Sequence, residues 1–114
     1  MVKKLYIPER GDVAWLTLDP RFGHEQKGRR PVLVLSGSYY NTRSELILAC
    51  PITSTAHGYA FEVIIDSSKV KGVVLADQVT SLAWKERNIK YVSRASVEVF
   101  RDVCEKINLL IKGE

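Results

Sequence analysis

DPRFGHEQKGRRPVLVLS, residues 19–36, holds the first turning point of the chain. Its first twelve residues, 19–30, are polar and include Gly23, Gly28 and Pro20. From Pro31 the segment becomes PVLVLS (31–36), a continuous apolar run that reads as a buried strand. Just upstream, GDVAWLTL (11–18) sets Val13, Trp15 and Thr17 in alternation with Ala14, Leu16 and Leu18, the period of a strand. A polar connection this long exceeds what a hairpin needs, and such loops are usually functional or mobile. Further on, ELILACP (45–51), AFEVIID (60–66) and GVVLA (72–76) read as three more strands and VTSLAW (79–84) as a fifth partner. The tail changes period. Ser96 is a good N-cap and Glu98 puts an anion in the first turn, where the helix dipole favours it. Val97, Phe100, Val103, Ile107, Leu110 and Ile111 then define one apolar helical face over 97–111. Short, closely spaced strands and one terminal helix predict a mainly β fold: a small, strongly bent antiparallel barrel with a C-terminal α-helix packed on it.

Composition places the chain in an ordinary class. Its 114 residues suit one domain, 1–114, with 46% hydrophobic and 26% charged residues. A domain of this size buries roughly 65% of its unfolded surface and needs no staple. No apolar run reaches the ~20 residues of a membrane span, and MVKKLYIPERGD lacks the apolar stretch of a secretory signal. A cytoplasmic protein with no membrane partner is the expectation. Cys50 and Cys104 form no CxxC pair and no Cys/His cluster, so neither a structural zinc nor any other cofactor is expected; both read as small buried hydrophobes. The net charge of +4 is modest, but its placement is informative. Arg21, Lys27, Arg29 and Arg30 crowd one segment, and Lys85, Arg87, Lys90 and Arg94 another. Basic clusters near aromatics suit a single-stranded nucleic acid groove, although a solvated charged face gives the same pattern.

Segment 19–36 resembles the MazF/PemK toxins. Their pattern of an acidic–Pro pair, a glycine, Glu-Gln, a second glycine and Arg-Pro before an apolar strand is met by Asp19-Pro20, Gly23, Glu25-Gln26, Gly28 and Arg30-Pro31. Further matches follow in order: Pro51-Ile52-Thr53-Ser54, Gly58-Tyr59 before Phe61-Glu62-Val63, GVVLADQV (72–79), Ser81 to Trp84, and KINLLI (106–111). Together they span about residues 8–111. The resemblance implies the small SH3-like, CcdB-like antiparallel barrel of the PemK-like proteins. It also implies a metal-independent, sequence-specific endoribonuclease toxin that cuts single-stranded mRNA. The expected partners are RNA, a cognate antitoxin with an acidic disordered tail, and a second copy of the chain in a homodimer.

The residues make chemical sense of that expectation. Metal-free RNA cleavage needs the 2′-OH to attack the adjacent phosphate, so charge builds on the phosphoryl oxygens as the 5′-oxygen leaves. A guanidinium can hold two of those oxygens. Pro31 restricts the Arg30 backbone to extended conformations, which sets Arg30 at the mouth of a strand. Thr53, after the third strand, offers a short hydroxyl to the phosphate. By resemblance, Arg30 takes the acid/base and charge-stabilising role and Thr53 steadies the transition state; Glu25 is the natural candidate to help position or deprotonate the 2′-OH. His24, Lys27, Arg29, Ser54, Asp77 and Gln78 are the expected RNA contacts. Each has a plainer reading: a solvated loop arginine, a strand-end hydroxyl, a Glu25 paired with Lys27 or Arg29.

Among the aromatics, Trp15 and Phe61 read as core, while Trp84, Tyr39, Tyr40 and Tyr59 raise the question of base stacking. His57 reads as a solvated turn residue. Two other functions remain open at this level: a gyrase poison of the CcdB kind that catalyses nothing, and an RNA-binding module without turnover.

Overall fold

The structure, a computed structural model, describes residues 5–18 and 28–113. Seven strands precede and surround two helices: β1 Asp12–Thr17, β2 Arg29–Val34, α1 Ser38–Ser44, β3 Ile47–Thr53, β4 Glu62–Asp66, β5 Lys71–Leu75, β6 Thr80–Leu82, a 3-10 turn Trp84–Glu86, β7 Lys90–Arg94 and α2 Val97–Lys112. The strands form one antiparallel sheet in the order β4-β5-β3-β2-β1-β7. β3 is its corner. Ile47–Ala49 pair with β6, Ala49–Pro51 with β2, and Ile52–Thr53 with β5. A strand that changes partners along its length bends the sheet, and the bend gives the barrel-like curvature the sequence predicts. Among the described residues β4 and β7 remain edges, so the barrel is open.

Curvature lets both sides of the central strands be buried. Val13, Leu33, Cys50, Ile52 and Val74 face α2, where Val103 is fully buried and Val99, Phe100 and Ile107 pack beside it. Leu16, Val32, Val34, Ile47 and Ala49 face the opposite way, against Leu82 and Trp84. This is why PVLVLS is continuously apolar: alternate residues belong to two different cores. Ser96 caps α2 as expected, its Oγ accepting from the Val99 N–H at 3.1 Å. Of the cysteines, Cys50 is buried and Cys104 only partly so. Burial pushes the Cys50 thiol up to about 12, which removes it from thiolate chemistry near neutrality.

Two elements lie outside the sequence expectation. α1 carries no apolar face; Asn41 is its one buried residue. Asn41 Nδ2 donates to the carbonyls of Pro8 (2.9 Å) and Ser36 (3.0 Å), and its own carbonyl accepts from Trp84 Nε1 at 2.9 Å. Trp84 is thus a core residue with its polar edge satisfied, not a stacking platform. β7 pairs with β1 through a bulge opposite Val13 and Ala14, where its own Val92 is the extra residue, which breaks its period. Among the described residues, no helix is long and apolar enough to cross a membrane.

Candidate active site

β2 and β3 pair Val32 with Pro51 and Leu33 with Cys50. Continued two places, that antiparallel register sets Arg30 across from Thr53, and directly opposed residues share a face. The two groups singled out for chemistry therefore lie just beyond the last β2–β3 pair, Val32 with Pro51. Thr53 closes β3 instead of following it, and Arg30 lies inside β2 instead of ending a loop. Both line a cavity of about 490 Å³ together with Trp15, Arg29, Ser54, Thr55, Lys69 and Lys71.

The cavity is strongly basic. Arg29, Arg30, Lys69 and Lys71 contribute cations and no described lining residue is acidic; Lys71 meets Asp66 only at 4.0 Å, with both side chains well exposed. Arg30 is exposed and its Nη1 donates to the carbonyl of Arg29 at 3.2 Å. Arg29 Nη2 donates to the carbonyl of Asn88 at 3.2 Å. Thr53 Oγ1 accepts from the Thr55 N–H at 3.3 Å, which orients the hydroxyl and leaves its proton for another acceptor. From the opposite side Gly72, on β5, presses against the Thr53 backbone, and its φ of +152° suits glycine.

Thr53 also lines a second cavity of about 380 Å³, with His57, Tyr59, Phe61, Glu62, Leu75, Asp77 and Gln78. Here His57 and Tyr59 stack, ring centroids 5.3 Å apart. Their loop is held from beneath. The Glu62 carboxylate accepts from the N–H groups of His57 (3.1 Å) and Gly58 (3.0 Å), and Lys106 Nζ reaches the Ala60 carbonyl at 2.7 Å. Glu62 is thus occupied with the loop and not free as a base.

The structure therefore brings Arg29, Arg30, Thr53 and Ser54 into one cavity and Asp77 and Gln78 into its neighbour. Glu25, His24 and Lys27 lie outside the described residues. Trp15 corrects the reading of it as core: it is 38% exposed and faces the basic cavity. Both faces of β1 are apolar in sequence, so alternation could not tell which one is covered. Lys69 and Lys71 were missed too, although their spacing around buried Val70 is a strand-edge signal. A larger cavity of about 810 Å³ lies between α1 and the start of α2, but holds none of the residues expected to act on RNA. Among the described residues, no cluster of three His, Cys, Asp or Glu side chains could hold a metal ion.

Four likenesses follow this geometry. The family model described as "PemK-like, MazF-like toxin of type II toxin-antitoxin system" matches residues 9–111. The chain is 41% identical over 106 residues to the endoribonuclease toxin MazF of Escherichia coli K12, covering 93% of this chain and 96% of that protein. Its fold aligns with MazF of Deinococcus radiodurans at a TM-score of 0.84 and 44% identity, over 94% and 98% of the two chains. A MazE–MazF structure from the same organism aligns at 0.83 with 40% identity, over 93% and 96%.

Proposed function

From the premise that this chain belongs to the PemK-like, MazF-like toxins of type II toxin–antitoxin systems, we propose that it is an endoribonuclease that cuts single-stranded RNA at the Arg30–Thr53 cavity, without a metal. One observation carries the reading. An exposed guanidinium and an oriented hydroxyl line one cavity, in which every other described charge is positive. Such a site suits a substrate whose negative charge rises as it reacts.

The 2′-OH gives its proton to a base, for which Glu25 is the candidate, and forms a bond to phosphorus. The bond from phosphorus to the 5′-oxygen breaks, and that oxygen takes up a proton. The products are a 2′,3′-cyclic phosphate and a 5′-OH. Arg30 stabilises the phosphoryl oxygens and acts as the acid/base group toward the leaving oxygen. Thr53 donates a hydrogen bond from its hydroxyl to the phosphate. Arg29, Ser54, Lys27 and His24 hold the neighbouring backbone. Asp77 and Gln78 read a base edge in the second cavity, where the His57–Tyr59 pair offers a stacking surface. Sequence specificity, and mRNA as the target, belong to this reading, as does action in the cytoplasm, where that substrate is found.

We assign two protein partners on the same footing. One is a cognate antitoxin whose acidic, disordered tail competes with RNA for the basic cavity; a relative crystallised with MazE supports it. The other is a second copy, giving a homodimer of about twice 12.9 kDa. Light scattering with and without an acidic peptide tests both.

The deciding experiment uses a short RNA in excess EDTA. Full cleavage with 2′,3′-cyclic phosphate ends, and none when a single 2′-deoxy sugar stands at the cut, is the expected result. Inhibition by EDTA or cleavage of the deoxy substrate removes the mechanism. Binding without cleavage makes the chain an RNA-binding module.

A further inference from the structure

Behind the basic cavity, one short turn is bonded to both sides of the β1–β2 neck. It follows the 3-10 turn and comprises Arg87 and Asn88, the latter in the left-handed region at φ 53°. The Arg87 carbonyl accepts from the Thr17 N–H at 2.9 Å. Its guanidinium turns inward, Nη1 donating to the Thr17 carbonyl at 3.0 Å and also to the Leu18 carbonyl. On the other side of the neck, the Asn88 carbonyl accepts from Arg29 Nη2. Thr17 and Arg29 are themselves cross-strand partners, and the Leu18 N–H closes the pair onto the Gly28 carbonyl at 2.9 Å. The basic cluster at 85–94 invites a phosphate-tracking role for Arg87, but its Nη1 is spent on two backbone carbonyls.

We propose that Arg87 and Asn88 form a clasp, with Arg87 a positioning residue that fixes the end of the β1–β2 hairpin and so aims Arg29 and Arg30 at the cavity. The proposal rests on the functional reading above. Its physical basis is the way strand pairs end. Beyond the last cross-strand pair a hairpin frays, and the side chains there sample many directions. A cationic nitrogen shared between two successive carbonyls makes charge-assisted bonds at that point. Arginine suits the task because its planar head keeps a fixed angle to both acceptors, which an ammonium does not. Arg87 Nε and Thr17 Oγ1 are buried without hydrogen-bond partners. A guanidinium left partly unsatisfied so that Nη1 can hold two carbonyls is the kind of local cost that marks a geometric role. Asn88 supplies the positive φ that presents its carbonyl to Arg29, a conformation asparagine tolerates and a β-branched residue resists.

The test compares wild type with Arg87→Met, Arg87→Lys, Asn88→Val and Asn88→Gly. Native-state hydrogen exchange of the Thr17 and Leu18 amides requires no RNA. In Arg87→Met both should exchange at least tenfold faster, while amides of β3 and α2 keep their rates. With a short RNA, kcat should fall at least tenfold with little change in KM. Arg87→Lys should recover only a minor part of it. Asn88→Val should reproduce the loss and Asn88→Gly reverse it, which keeps the test open if Arg87→Met does not fold. Unchanged amide exchange in Arg87→Met overturns the clasp. Faster exchange with undiminished kcat overturns its role in positioning. Full rescue by Arg87→Lys, with a salt-sensitive KM, assigns Arg87 to RNA phosphate instead. If the wild type cleaves no RNA, the functional reading fails separately, and the exchange data still decide the clasp.

Discussion

A Cβ placed on Gly72 would stand 2.1 Å from the Thr53 carbonyl oxygen and 2.9 Å from its carbonyl carbon. Both atoms are backbone, so nothing can swing away; β3 itself would have to move. Gly72→Ala is therefore expected to cost about 1–3 kcal/mol, or roughly 5–15 °C in Tm. It should also lower cleavage at least tenfold at temperatures where the variant is fully folded, because the strand that shifts carries Thr53. Calorimetry and single-turnover cleavage give both numbers. An unchanged Tm with full activity would show that Gly72 does not set this strand.

Arg30→Ala should reduce kcat by roughly 10²–10⁴, the range for one acid/base group or charge-stabilising donor. Arg30→Lys should restore little of it. Thr53→Ala should cost less than Arg30→Ala, and Thr53→Ser should recover most of that loss, since a serine hydroxyl can still accept from the Thr55 N–H. Arg30 is exposed, so Tm should hold within a few degrees. Full activity in Arg30→Ala would refute the assignment.

Lys69 contributes charge to the same cavity without belonging to the family motif. Removing one cation that meets a phosphate should lower the slope of log affinity against log salt by about 0.7 for single-stranded RNA. Lys69→Met is expected to show that change and a raised KM across RNA sequences. Filter binding from low to high salt measures it; an unaltered slope takes Lys69 out of the groove.

Tyr6 donates to Asp12 Oδ2 at 2.6 Å. Burial first, and then this bond to a carboxylate, push the Tyr6 hydroxyl well above the usual tyrosine value of 10.0. The neutral form is the one stabilised by folding. Its contribution is complete below the unfolded pKa and is lost as pH climbs from about 10 toward the raised folded value. Tyr6→Phe should cost about 1.5–3 kcal/mol near neutrality, as expected for a bond to a charged acceptor. That deficit should shrink above pH 10. Urea unfolding at pH 8 and 10.5 provides the comparison, and a deficit that grows with pH would contradict the sign.

Much of this was legible beforehand, for reasons that differ by element. α2 runs from Val97 to Lys112 within one residue of its sequence prediction because cap, dipole and apolar period agree. The six strands were found because continuous apolar runs survive even where strand ends do not. α1 was invisible since it has no apolar period and its one buried residue, Asn41, is polar. β7, KYVSR, was obscured because only Val92 is aliphatic and that residue is the extra one of a bulge. Arg30 and Thr53 were legible as motif residues, yet their opposition depends on a register that no local pattern encodes. The inward turn of Arg87 was illegible for a related reason: on paper an arginine among lysines looks solvated, and only the fold supplies the two carbonyls.

Thr53 is the shared wall of two compartments, and that partition has an evolutionary consequence. One compartment draws its cations from β2, from Lys69 and from Lys71 at the start of β5; the other takes its lining mainly from residues 57–62 and the Asp77–Gln78 corner. The exposed residues at 57–60 can drift without disturbing the strand pair that carries Arg30. If the second cavity reads bases as proposed, a lineage with this layout can change which sequence it attacks by small steps in one surface loop and keep its chemistry throughout. New targets would then arise by mutation and selection at a few outward-facing positions, with no intermediate that has lost the cutting step.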